Sequence, residues 1–138
     1  MRALELRVPP PLVAVLVGTA MWFAAQQRVS LELPLVVRVV AFVVLALAGG
    51  ATALAGNLAF KRARTTINHR FTRNPMYVGL TLLLLGWAAF LCSAWALLGP
   101  VIFVLYISRF QIAPEERVLS AKFGAAYTEY TARVRRWL

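Results

Sequence analysis

Residues 73–110 read RNPMYVGLTLLLLGWAAFLCSAWALLGPVIFVLYISRF, and no charged side chain interrupts them between Arg73 and Arg109. Two apolar segments, 76–91 and 94–110, are parted only by Cys92-Ser93. Helices of this length rise about 25 Å at 1.5 Å per residue, barely enough for a bilayer core of ~30 Å. They are expected to form a tight helical hairpin turning near Cys92-Ser93, with Gly99-Pro100 kinking the second limb. Such a hairpin returns its two open ends to one membrane face. Polar clusters stand at both ends: Arg73-Asn74-Pro75-Met76-Tyr77 opens the first limb, and Pro114-Glu115-Glu116-Arg117 follows the second.

The rest of the chain fits a membrane setting. Of its 138 residues, 61% are hydrophobic, more than a soluble globule of this size can hide from water. The apolar residues also come in long blocks, as membrane spans require. The expected fold class is therefore all-α: an integral membrane helical bundle in one domain, 1–138. About four transmembrane helices are expected, near 11–25, 35–60, 76–91 and 94–110, followed by a cytoplasmic amphipathic helical tail over 111–138. In the second span, Gly49-Gly50 and Gly56 allow close helix contacts, and Arg38 is expected to reach back to the interface. In the tail, Leu119, Phe123, Tyr127, Tyr130, Val134 and Trp137 recur at helical steps. Gly124 is expected to divide that tail into two short helices folded against the ends of the spans.

Charge sets the orientation. Lys61, Arg62, Arg64, Arg70 and Arg73 crowd the second connection, and Arg117, Lys122, Arg133, Arg135 and Arg136 the tail. The first connection carries only Arg28 against Glu32, and the hairpin turn carries no charge. Both termini are thus expected on the cytoplasmic side of a bacterial cytoplasmic membrane. The formal net charge of +10 serves topology and lipid head groups rather than nucleic acid, since no base-stacking aromatics stand on a basic soluble face. The N-terminus does not resemble a cleaved signal peptide: Pro9-Pro10-Pro11 and Met21-Trp22-Phe23 offer no small-residue cleavage site. The single cysteine, Cys92, excludes an internal disulfide.

Part of each polar cluster has a structural explanation. Asn74 is a good N-cap and Pro75 a good first helical residue. Pro114 likewise opens the tail helix, with Glu115 and Glu116 favourable in its first turn. Yet Arg73, Tyr77, Arg109, Gln111, Glu115, Glu116, Tyr127 and Tyr130 would all gather at one cytoplasmic depth. Polar groups at the hydrocarbon edge are costly unless paired or functional, so the cluster marks a ligand site. Carboxylates suit an ammonium or ribose hydroxyls, Arg73 a carboxylate, and tyrosine faces a sulfonium.

Two runs carry a resemblance. Arg73-Asn74-Pro75-Met76-Tyr77-Val78-Gly79 resembles the R-[HN]-P-x-Y-x-G signature of the isoprenylcysteine carboxyl methyltransferase and phospholipid methyltransferase group. Glu115-Glu116-Arg117-Val118-Leu119, with Phe123-Gly124, Tyr127, Tyr130, Val134 and Arg136, resembles the tail of the same family. The resemblance implies a membrane methyltransferase using S-adenosylmethionine without a dinucleotide-binding fold. Its acceptor would be a lipid or lipidated molecule bearing a carboxylate or an amine. Carried onto this chain, Arg73, Asn74, Pro75, Tyr77, Glu115, Glu116, Tyr127 and Tyr130 would bind the cofactor, with Glu116 and Arg73 also serving catalysis. The expected partners are that acceptor and the surrounding membrane lipids.

No metal site is expected, because no second His or Cys lies at ligand spacing. The chain has no Asp, so no Ser-His-Asp set exists. His69, the only histidine, reads as a solvated loop residue rather than a general base. A competing function is a non-catalytic membrane protein of the same fold that binds lipid or a protein partner.

Overall fold

The computed structural model describes residues 8–27, 31–62 and 72–137, and side chains within them except those of 57–62. The described residues are helical, with no strand among them. Helix α1 spans Pro10–Ala25, α2 Leu35–Arg62, α3 Pro75–Leu91, α4 Leu98–Ile107, α5 Ala113–Phe123 and α6 Ala125–Arg133. His69 lies outside the described residues.

Two runs are long and apolar enough to cross a membrane, Leu35–Gly56 and the combined helix Trp95–Phe123. Pro10–Ala25 and Pro75–Leu91 are shorter apolar helices. Large apolar side chains line the outside of α2, including Val36, Val40, Val44, Leu47 and Leu54. A soluble monomer rarely leaves so extended an apolar face uncovered, whereas hydrocarbon accepts it.

In lipid, helices associate through close packing, so small residues decide where they meet. Helices α2 and α3 show this. A Cβ at Gly49 would fall 2.5 Å from the Gly79 carbonyl oxygen, and one at Gly79 equally close to the Gly49 oxygen. Farther along, a Cβ at Gly56 would strike Pro75 at 2.4 Å, and one at Gly86 would press Phe42 and Leu45. The two helices are therefore antiparallel and in backbone contact. Gly50, expected to share this role, faces open space instead.

The hairpin turn falls where the sequence placed it. Cys92 caps α3 in the left-handed region at φ 53°, its N–H bonding the Ala88 carbonyl. A single 3₁₀ turn, Trp95–Leu97, then leads into α4. Arg38 reaches sideways rather than along its own helix: its Nε donates to the Phe90 carbonyl at 2.6 Å, satisfying an end group of α3. Pro100 lies in the first turn of α4, directly after the 3₁₀ turn, where a missing N–H costs little.

The larger correction concerns the join between span and tail. Pro114 stands at the start of α5 as expected, but no break precedes it, since Ile112 and Ala113 keep helical dihedrals. A π turn, Ser108–Ile112, joins α4 to α5, with the Ala113 N–H bonded to the Ser108 carbonyl. Proline lacks an N–H and crowds the carbonyl four residues back; a widened turn accommodates both demands without ending the helix. Span and tail are thus one rod up to Gly124, whose φ of 51° turns the chain into α6. The rod is anchored by Phe103, Ile107 and Ile112, all fully buried or nearly so.

Candidate functional site

The site lies where the start of α3, the start of α5 and residues 134–137 converge. Thr72 is buried, and its Oγ1 accepts the Asn74 N–H at 3.1 Å while donating to the Arg136 carbonyl at 3.2 Å. Asn74 stands at the N-cap of α3 with Pro75 at N1, but its side chain makes no capping bond. Its Nδ2 donates instead to the Arg136 carbonyl at 3.0 Å, and the Arg73 N–H donates to the Arg135 carbonyl at 3.0 Å. Asn74 therefore ties the motif to the end of the tail rather than capping its own helix. Pro75 is seated against Gly56 of α2.

The two adjacent glutamates have different surroundings. Glu116 meets two guanidinium groups: Arg73 Nη1 lies 3.2 Å from its Oε1, and Arg136 grips both oxygens, with Nε at 3.1 Å from Oε1 and Nη2 on Oε2. Glu115 accepts a 2.7 Å hydrogen bond from the Tyr77 hydroxyl, a buried group one turn into α3. The π turn contributes to this arrangement, because one extra residue sets the rotation at which α5 meets α3.

Tyr127 is buried and Tyr130 partly so, with ring centroids 6.3 Å apart. Burial pushes the Tyr127 phenol above its usual range, the Glu116 charge adds to this, and neighbouring Arg73 works against it. Burial likewise raises Tyr130. Both remain neutral hydroxyls near pH 7. The hydrogen bond to Glu116 is the main cause raising the Arg136 guanidinium, which stays charged.

Arg73, Tyr77, Glu115, Glu116 and Tyr127 thus converge, as their spacing implied. Gln111 does not join them. It is buried on the other side of the π turn, where its Nε2 donates to the Val8 carbonyl at 2.7 Å and pins the approach to α1. Arg109 borders a cleft of about 520 Å³ shared with Ala113, Glu116, Arg117 and Ser120. Two participants, Thr72 and Arg136, were not among the expected site residues. Arg136 stands in the tail run that carries the family resemblance, but its partner Glu116, twenty residues back, is outside any local helical spacing.

Among the described residues two buried side-chain polar atoms are unpartnered, Ser93 Oγ at the hairpin turn and Arg73 Nε at this site. Such orphaned groups are uncommon and costly, and at this site the group belongs to Arg73, which joins its own motif to Glu116 of the other. Guanidinium donors of this kind suit a carboxylate or another anionic group.

The pattern of the phospholipid methyltransferase family matches residues 14–126, most of the chain and both glutamates with the Arg73–Gly79 motif. The chain belongs to the phospholipid methyltransferase family. It is also 51% identical over 63 residues to an uncharacterized protein from Haemophilus influenzae, a match covering 46% of this chain and 100% of that protein. No solved structure matches it. The family match implies methyltransferase chemistry in a membrane-associated protein.

Proposed function

We propose that this family member is a multi-pass membrane enzyme that transfers a methyl group from S-adenosylmethionine to a lipid or lipidated acceptor at the cytoplasmic face. The observation that carries the proposal is the meeting of Arg73 and Tyr77 with Glu116 and Glu115 across a helical hairpin. On this reading all four apolar helices cross, the short α1 and α3 included, and both termini are cytoplasmic.

The residues present fit the cofactor. The unpartnered Arg73 Nε suits its carboxylate, Glu116 its ammonium or ribose hydroxyls, and the Tyr127 and Tyr130 faces its sulfonium. Bound S-adenosylmethionine would supply an electrophilic methyl group. The chain's own task is alignment and exclusion of water, which dominate the barrier to such a displacement. Residues 134–137 serve this by closing over Thr72 and Asn74.

A lipid acceptor is supported by an apolar groove of about 620 Å³ along α1 and α3, lined by Val15, Gly18, Trp22, Leu84 and Trp87 among others. Pro11 and Leu80 border it as well, and Leu80 is one turn from Tyr77. A hydrocarbon chain in this groove would bring its head group towards the site.

The double clasp on Glu116 favours a second reading, a permanently latched protein of the same fold that binds lipid without chemistry. Titration of the detergent-solubilised protein with S-adenosylhomocysteine separates the two, because a ligand of the native state must raise the melting temperature. A shift abolished by Glu116→Ala supports the enzyme; no shift at saturation supports the latch.

A further inference from the structure

We infer that the groove along α1 and α3 takes one straight hydrocarbon chain of the acceptor, and that Trp87, bonded to Gly18, bars it about one leaflet from the site. Chain length then decides which acceptors are methylated, an assignment that rests on the methyltransferase reading.

The groove is built for hydrocarbon alone. Helices α1 and α2 each pack against α3, and the groove runs between them with Phe42 as its contribution from α2. Two lining side chains carry a polar atom, and both are spent on backbone: the Thr19 hydroxyl donates to the Val15 carbonyl at 2.9 Å, and Trp87 Nε1 to the Gly18 carbonyl at 3.1 Å. Nothing is left there to orient a head group, which belongs instead at the end where Leu80 is one turn from Tyr77. Ala14 and Leu84 form a buried floor, while Val15, Trp22 and Leu83 are exposed along the open side. A chain can therefore enter sideways from the bilayer.

Trp87 sets the length. Its ring reaches from α3 to α1, so close that a Cβ at Gly18 would lie 4.0 Å from Trp87 Cδ1. Phe42 of α2 meets the indole edge-on with centroids 6.1 Å apart, and Phe90 stacks on it at 5.5 Å. All three helices around the groove thus meet at this ring. Pro11 to Gly18 on one wall and Leu80 to Trp87 on the other each rise about 10 Å at 1.5 Å per residue. Counted from Tyr77 the reach is about 15 Å, half of a ~30 Å hydrocarbon core. Lipid is as apolar as the groove, so only close packing favours the bound chain. Methylenes short of Trp87 gain partners on two walls, and those beyond it gain none.

The test uses the full-length protein in phosphatidylcholine nanodiscs with methyl-tritiated S-adenosylmethionine. Lysophosphatidylethanolamines and S-alkyl cysteines, with chains from octyl to eicosyl, present amine and carboxylate heads. A missing methylene in an apolar pocket costs about 10–200-fold in rate, so the four between octyl and dodecyl should give at least about tenfold in lipid. An extended dodecyl chain covers the groove, and longer chains should add less than about twofold. Gly18→Leu, whose Cβ has ordinary clearance, fills the groove and should remove most of the rise, whereas Gly18→Ala should keep it. Val15→Trp, on the exposed side, is a second block and should act like Gly18→Leu. Chain binding is read separately in protein carrying Trp22→Phe, Trp95→Phe and Trp137→Phe. There, quenching of Trp87 by a dodecyl chain brominated at its end should saturate at low mole fraction, and Gly18→Leu should abolish the saturation. Quenching that grows in proportion to the probe and ignores Gly18→Leu overturns the inference, because bulk lipid then fills the groove; so does a rate indifferent to chain length. Thermal shift with S-adenosylhomocysteine keeps the failures apart. With the shift present, those results strike the chain groove alone; a wild type with neither shift nor methylation refutes the methyltransferase reading and this assignment with it.

Discussion

Alanine at Gly49 and alanine at Gly50 should change stability in opposite directions, although the two residues are adjacent in one helix. At Gly49 the new Cβ would meet the Gly79 carbonyl oxygen at 2.5 Å, Leu82 Cβ at 3.3 Å and the Leu83 nitrogen at 3.3 Å. Two of these are backbone atoms within α3, so the helices must separate. A gap of 0.5–1 Å already forfeits about a quarter to a half of each contact's attraction, and overpacking typically costs about 1–3 kcal/mol. The better helix propensity of alanine returns about 0.5–1 kcal/mol, leaving a net loss of roughly 0.5–2 kcal/mol. At Gly50 no atom lies within 4 Å, so only the propensity gain of about 0.5–1 kcal/mol remains. For a domain of this size 1 kcal/mol moves the melting temperature by about 4 °C. Gly49→Ala should therefore melt about 2–8 °C lower than wild type, and Gly50→Ala about 2–4 °C higher. The buried thiol of Cys92 offers a convenient probe, since a maleimide dye reacts with it only on unfolding. Adding Gly79→Ala to Gly49→Ala should cost less than its effect alone, because the helices are already parted. Equal melting temperatures for Gly49→Ala and Gly50→Ala would refute backbone contact between α2 and α3.

Three further outcomes follow from individual contacts. Arg136→Ala should cost less than about 1 kcal/mol, because its side chain is 43% exposed, yet hydrogen exchange at the Arg73 amide should quicken as residue 135 loosens. Gln111→Leu removes the donor to the Val8 carbonyl and should cost about 1 kcal/mol, with faster exchange at the Leu12 and Val13 amides that start α1. In a Cys92→Ser background, Trp95→Cys should label with an impermeant maleimide from outside the cell and Thr131→Cys only after lysis. Labelling of both from one side would overturn the multi-pass reading.

Much of the helical architecture was legible because lipid enforces simple rules. Apolar blocks, the Cys92-Ser93 turn and the Gly124 break each stand in the sequence where the chain uses them. The glycines were legible only as a class. Gly49 and Gly50 are equally small, and which one meets α3 depends on helix rotation, a property of the partner surface rather than of the residue. The short 3₁₀ turn was hidden for a related reason, since Trp95–Leu97 carries no residue that forbids an α-helix.

The candidate site was legible in membership but less so in wiring. Proline rules read Pro114 as a helix start, whereas the π turn lets the same residue continue a rod and so sets where Glu115 and Glu116 point. Capping rules assigned the Asn74 side chain to its own helix, but the Arg136 carbonyl competes for it successfully. In both cases a local preference loses to a long-range contact made available by the returning tail. That competition also explains why two neighbouring carboxylates differ: Glu116 lies within reach of the tail arginine, while Glu115 is turned towards α3 and Tyr77. If the tail creates this difference, Arg136→Ala should release Glu116 from its double clasp while leaving the Tyr77–Glu115 bond intact. The phenol stretching band of Tyr77, assigned with Tyr77→Phe, can follow that bond by infrared difference spectroscopy. A Tyr77 band that moves in Arg136→Ala would mean that the tail also sets the contact of Glu115.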